Sequence, residues 1–204
     1  MEVWLKLRSE LPSLLQLCGT SGMFVTYDPG ETLAICDRVA VMKEGTLHQC
    51  DSPRDLVCDP ATPFVGRFVL QGNLLPILTR NDRRLRCVLG DLEAPNVPLA
   101  PKLTSESCLL VDPAAVTLQL HPEGQACVLG REFAGHAWQE WIQIDSLILR
   151  VNLPLSEDDP KGTRGEIRLR HGSTAILYSL GIKMHASGPC DDAAQRAPQQ
   201  FPPA

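Results

Sequence analysis

The stretch "RVAVMKEGTLHQCDSPRDL", residues 38–56, decides how the first part of the chain is read. Val39, Val41 and Met42 make an apolar run that breaks at Glu44-Gly45, and polar and apolar residues resume from Thr46, the pattern of a strand folding back as a hairpin. Ser52-Pro53-Arg54-Asp55 then starts a helix. Ser52 stands at the N-cap, Pro53 at the first helical position and Asp55 in the first turn, where a carboxylate meets unpaired N–H groups. Toward the N-terminus, "MFVTYD" (residues 23–28) reads as the end of a strand over Gly22–Thr26, followed by a short helical stretch over Glu31–Cys36. Before it, Trp4, Leu7, Leu11, Leu14 and Leu15 recur at helical intervals, which predicts an amphipathic helix over Val3–Leu17, ended near Gly19. This helix must bury its stripe against something. The alternation of helix and strand implies an α/β sheet.

Toward the C-terminus the texture changes after about Leu70. Short β-rich runs, "RLRCVLG", "SCLLV", "WIQIDSLILRVNL" and "AILYSL", alternate with Gly, Pro, Asp and Asn, the pattern of a small antiparallel barrel or sandwich. The boundary falls near Gln71-Gly72-Asn73. The last stretch, rich in Ala, Pro and Gln, has little to bury and reads as a disordered tail. The expected organisation is therefore 1–70 for the α/β part, 72–181 for the β part and 182–204 for the tail.

Composition narrows the function classes. The chain has 204 residues, of which 44% are hydrophobic, enough for a core. It contains no run of 18 uncharged apolar residues and its start, "MEVWLKLRSE", is charged throughout, so neither a membrane span nor a signal peptide is expected. A net charge of −5 argues against nucleic acid as a partner. The eight cysteines, at 18, 36, 50, 58, 87, 108, 127 and 190, show no metal-binding spacing, and most lie in apolar runs where cysteine acts as a small hydrophobe. The five histidines are scattered without HxxxH or HExxH pairing, so no metal site is expected.

Taken in order, "FVTYD" and then "ETLAICDRVAVMKEGTLHQCDSPRDLVCDPATPFVGRFVLQGNLLP" resemble the C-terminal third of an ABC transporter ATP-binding subunit. The β-rich remainder resembles the TOBE domain, an OB-fold-like barrel. Within it, "GREFAGHAWQEWIQIDSLILRVNLPL" and "GTRGEIRLR" are closest to the ferric-iron type. The resemblance implies an α/β fragment of an ABC ATPase domain followed by an all-β barrel, in a protein of the ferric-iron, polyamine or sugar importer group. It also implies ATP and Mg²⁺ as family cofactors, and membrane permease subunits and a second ATPase subunit as partners. The implied place is cytoplasmic, peripheral to the inner membrane when assembled, without direct insertion.

The family carries a switch-loop histidine where this chain has Tyr27. That histidine contacts the γ-phosphate and helps polarise the attacking water. A phenol with an ordinary pKa near 10 replaces it poorly, so Tyr27 is expected to be non-functional in catalysis. Phosphoryl transfer also needs a glycine-rich loop, a lysine, a Ser/Thr for Mg²⁺ and an acidic strand end, and this sequence contains no GxxxxGK[ST] and no LSGGQ-like signature. The chain alone is therefore expected to bind no cofactor and to hydrolyse no ATP. In the β part, Val111-Asp112-Pro113-Ala114 stands where the family often shows valine-arginine-proline-glutamate, which removes an arginine able to grip an anion. Arg131, Arg150, Arg164, Arg168 and Arg170 could line a cleft; solvation of strand faces is the simpler reading. Competing functional readings are a free-standing β-barrel module that binds a small anion or a regulatory protein, and a decayed product without activity.

Overall fold

The computed structural model describes residues 2–81, 84–93, 104, 107–135, 137–156, 160–179 and 182–187. Helix α1 (Glu2–Leu17) closes with Gly19 at φ 59°, a left-handed residue that lets the Thr20 N–H return to the Leu15 carbonyl at 3.1 Å. Leu11 and Leu15 are half-buried, while Leu14 and Leu17 remain exposed, so the stripe is only partly covered over residues 10–17. The expected strand over Gly22–Thr26 is not formed. The segment has no regular secondary structure and pairs with no strand among the described residues, and Met23 and Val25 are 94% and 85% exposed. Alternating hydrophobics specify a strand only where a neighbouring backbone supplies the ladder. Asp28 caps α2 (Pro29–Ile35), accepting from the Gly30 N–H at 2.8 Å.

Strands β1 (Val39–Lys43) and β2 (Thr46–Asp51) form the expected antiparallel hairpin. Its turn places both Glu44 (φ 50°) and Gly45 (φ 75°) in the left-handed region, as the twist-matched two-residue turn demands. Two capped helices follow. Ser52 accepts from the Asp55 N–H to start α3 (Pro53–Cys58), and Thr62 accepts from the Val65 N–H at 3.2 Å to start α4 (Pro63–Val69). Val41, Leu56, Val65 and Val69 are the buried residues this region gathers. Its only described sheet is the antiparallel hairpin, so the expected α/β sheet is absent among the described residues, for the same lack of pairing partners.

From Asn73 onward the regular elements among the described residues are strands, apart from one 3-10 turn. One seven-stranded antiparallel sheet runs in the order β3 (Asn73–Pro76), β7 (Cys108–Val111), β13 (Thr174–Ser179), β14 (Ile182–Ser187), β6 (Gly90–Glu93), β5 (Arg84–Cys87), β4 (Thr79–Asn81). A five-stranded sheet runs β11 (Leu147–Leu153), β10 (Trp138–Ile144), β9 (Ala126–Phe133), β12 (Arg164–Leu169), β8 (Val116–Leu120). The inward residues of both sheets share one core, with Leu75, Leu109 and Leu177 from the first sheet and Val128, Ile142 and Val151 from the second. No ladder joins the sheets into the expected closed barrel among the described residues. At the edges β3 and β11, a side chain substitutes for backbone pairing. The Asn73 amide donates to the Arg150 carbonyl at 2.7 Å and accepts from the Arg150 N–H at 2.8 Å.

The disordered tail expected over 182–204 does not hold for its first residues, since Ile182–Ser187 form β14, paired with β13 along its whole length and with β6 at Ser187↔Glu93. Ile182, Met184 and Ala186 alternate with Lys183, His185 and Ser187, a strand period too short to stand out in the sequence; residues 188–204 lie outside the described set.

The helical region docks on the outer face of the larger sheet. Gly66 of α4 packs so closely on Leu110 that a Cβ there would overlap the leucine side chain. Tyr178 donates to the Pro60 carbonyl at 2.6 Å, and Lys183 pairs with Asp59.

Candidate functional site

Helix α4, the linker after it and the β10–β11 hairpin enclose an open cleft of about 690 Å³, with Tyr27 and Pro29 at its margin. The local sequence explains the walls. Phe64, Arg67 and Phe68 lie at spacings of three and four residues along α4, so they share one face of the helix. Phe64 and Phe68 are stacked with centroids 6.0 Å apart, and behind them His48 packs on Phe64 at 4.9 Å. The linker turns at Gln71, a non-glycine residue at φ 51°, which brings Gly72 against Leu110 and sends Asn73 across to β11. Opposite stand Trp141, half-buried, and the start of β11 from Leu147 to Arg150.

The charge in the cleft has one sign. Arg67 and Arg150 line it, and no lining residue among those described carries a carboxylate. Arg67 sits in the last turn of α4, where the helix dipole favours a cation. The Arg150 guanidinium donates to the Gln71 side-chain carbonyl, and its backbone is fixed by Asn73. Among the described residues, no His, Cys, Ser, Thr, Asp or Glu lines the walls.

Tyr27 is 97% exposed at the margin of this cleft. The other arginines do not gather here. Arg131 lies over the Trp138 ring at 4.6 Å, Arg164 donates to the Gly124 carbonyl at 3.4 Å, Arg168 pairs with Glu166 at 2.8 Å on the same strand, and Arg170 is exposed beyond β12. Alternation along β12 turns Arg164, Arg168 and their neighbour Glu166 outward while Gly165, Ile167 and Leu169 face the core, so only Arg150 of the five joins the cleft. Asp112 is committed locally, accepting from the Ala114 N–H at 2.7 Å to cap the 3-10 turn Pro113–Ala115.

Sequence reading missed Arg67 and Trp141. The available signal was an arginine between Phe64 and Phe68 on one helix face, but its counterpart lies 74 positions away. Among the described residues, no group of three or more His, Cys, Asp or Glu is placed to hold a metal ion. Cys87 is buried and its thiol is pushed up by burial, as are those of Cys108 and Cys36, whereas Cys18 and Cys58 are exposed. No helix among the described residues is long and apolar enough to cross a membrane.

No protein-family model matches the chain. Curated relatives that match part of its length include ATP-binding proteins of ABC transporters, several of them of import type. It is similar to the uncharacterized ABC transporter ATP-binding protein YdcT of Escherichia coli K12, at 50% identity over 34% of this chain and 22% of the relative. The Fe(3+) ions import ATP-binding protein FbpC of Brucella abortus is 36% identical over 56% of this chain and 33% of its own length. The spermidine/putrescine import ATP-binding protein PotA of Acidothermus cellulolyticus is 32% identical over 61% of this chain and 35% of its own length. The chain thus spans between about a fifth and about a third of the length of these curated relatives.

Proposed function

We propose that the chain is the C-terminal portion of an ATP-binding subunit of an ABC importer, of the ferric-iron, polyamine or sugar group, with its β region serving as a TOBE-type accessory domain. The observation that carries this reading is order. The hairpin turned at Glu44-Gly45, the Ser52-capped α3, the Thr62-capped α4 and the two-sheet β region follow one another as the family motifs do. Relatives named for iron, sulfate and polyamine import match the same chain.

On this reading Tyr27 occupies the switch-loop position, and permease subunits and a second ATP-binding subunit are the partners, on the cytoplasmic side of the inner membrane. The exposed segment around Met23 and Val25 fits a strand that pairs only within a larger sheet. The chain alone is expected to leave Mg-ATP unbound in isothermal titration. Mixed with a polypeptide carrying the glycine-rich loop, signature and acidic-strand motifs of a relative such as YdcT, it should recover nucleotide binding with weak hydrolysis. Tyr27→His in that complex should raise steady-state turnover by roughly 10²-fold, the scale of one positioned acid/base group. Failure of the two pieces to form a nucleotide-binding complex would refute the proposal.

A further inference from the structure

The described residues show a second polar pocket beside His121 and Arg168, too small and already occupied by the Arg168–Glu166 ion pair, and a buried Ser107–Ser179 pair that satisfies itself at 2.8 Å. The cleft beside α4 is different in size and in charge. Its volume of about 690 Å³ falls in the range of about 300–1,000 Å³ that accommodates small ligands. The chain as a whole carries a formal charge of −5, yet among the described residues this cleft presents two guanidiniums and no carboxylate.

A guanidinium offers five N–H donors in a plane, and the Gln71 carbonyl meets those of Arg150 from one side only. Arg67 has no acidic neighbour within ion-pair distance among the described residues and is exposed at the end of α4. Beside these cations stand apolar side chains. Trp141 is half-buried, Phe68 is partly open, and Ile148 is 61% exposed. Such a combination suits a ligand with an oxyanion at one end, for bidentate capture, and a planar apolar body to cover the aromatic wall.

We propose that this cleft binds a small organic anion, an oxyanion head on a flat apolar body, with Arg67 and Arg150 holding the head and Trp141, Phe68 and Ile148 holding the body. The site lies within one chain and stands whether or not the chain works as part of an ATP-binding subunit.

The probe is 1-naphthoate, titrated into the full chain while the Trp141 indole N–H signal is followed by NMR, with neutral 1-naphthamide and inorganic phosphate titrated in parallel. Saturable binding of 1-naphthoate is expected, with the amide and the phosphate each at least about tenfold weaker, the scale of one lost charge-assisted hydrogen bond. Arg67→Gln and Arg150→Gln should each weaken 1-naphthoate by about tenfold and leave the amide unchanged. Ile148→Asp, at an exposed position where folding is not at stake, should abolish anion binding by placing a carboxylate in the wall. Equal affinity for acid and amide, a Trp141 signal that does not move, or arginine variants that bind like the parent would overturn the proposal; binding of phosphate as tight as that of 1-naphthoate would overturn the role of the apolar wall.

Discussion

The two regions of this molecule are built on different terms. Before Leu70 the described chain buries a handful of side chains, Val41, Leu56, Val65 and Val69, and leaves Leu14, Leu17, Met23 and Val25 in solvent. After Asn73 two antiparallel sheets face each other across a continuous core from Leu75 to Leu177. Every strand of the second region has a partner supplied by the same region. The first region instead borrows support, with α4 resting on Leu110 and the Asp59-Pro60 loop held by Tyr178 and Lys183. A segment rich in secondary-structure signals is therefore not the same thing as a self-sufficient core.

The sharpest way to test this contrast is to hollow each core in turn. Leu109→Ala, at a fully buried site between the sheets, should destabilise the whole molecule by about 2–5 kcal/mol in denaturant titrations. Leu56→Ala should act locally: amide exchange should quicken in α3 and α4 while β9, β10 and β13 keep their protection. If Leu56→Ala loosens the sheets equally, the two regions are one cooperative unit and the contrast fails. Next in size, Asn73→Leu removes both hydrogen bonds to Arg150 and should lower stability by about 1–3 kcal/mol, the penalty for orphaned buried polar groups.

Smaller still is the effect expected at the junction. Tyr178→Phe deletes the bond to the Pro60 carbonyl and should lower stability by about 1 kcal/mol at neutral pH. Burial, with the nearby Asp59 and Cys108, raises the pKa of Tyr178 well above the ordinary phenol value. The protonated phenol is thus favoured more in the folded than in the unfolded chain. Its contribution is complete below about pH 10, the unfolded value, and declines as pH rises beyond it. The parent should therefore lose stability above about pH 10 more steeply than Tyr178→Phe, and parallel alkaline profiles would remove Tyr178 from the junction. The smallest effect belongs to Tyr27→His, which should change the stability of the chain by no more than about 0.5 kcal/mol because the side chain touches almost nothing.

Local chemistry made much of the first region legible. Ser52-Pro53 announced α3, Glu44-Gly45 announced a two-residue turn, and the leucine spacing announced α1, because caps, turns and helical stripes are decided within a few residues. What depended on distant partners was not legible. Gly22–Thr26 has the composition of a strand and no ladder to join among the described residues, whereas the short stretch Ile182–Ser187 is a strand because β13 offers one. The separation of the β region into two sheets rests on long-range pairings such as β12 with β8 and β3 with β7, which no short window contains. The candidate site divides in the same way. Tyr27 and Arg150 stood out as single residues, but that Arg67 and Trp141 share a cleft with them follows only from the linker turning at Gln71.

The Asn73 amide has a consequence beyond joining two sheets. Strand β11 is the outer strand of its sheet, and its free side is a template on which another copy of the chain could add a strand. Asn73 occupies the middle of that side, taking both the N–H and the carbonyl of Arg150, so an incoming strand finds its central pair of hydrogen bonds already made. With Asn73→Leu the edge would be open along Ile148 to Asn152, next to an exposed isoleucine, and sedimentation should show self-association that grows with protein concentration. One side-chain amide thereby occupies the hydrogen-bonding positions of Arg150 at which that edge would otherwise extend.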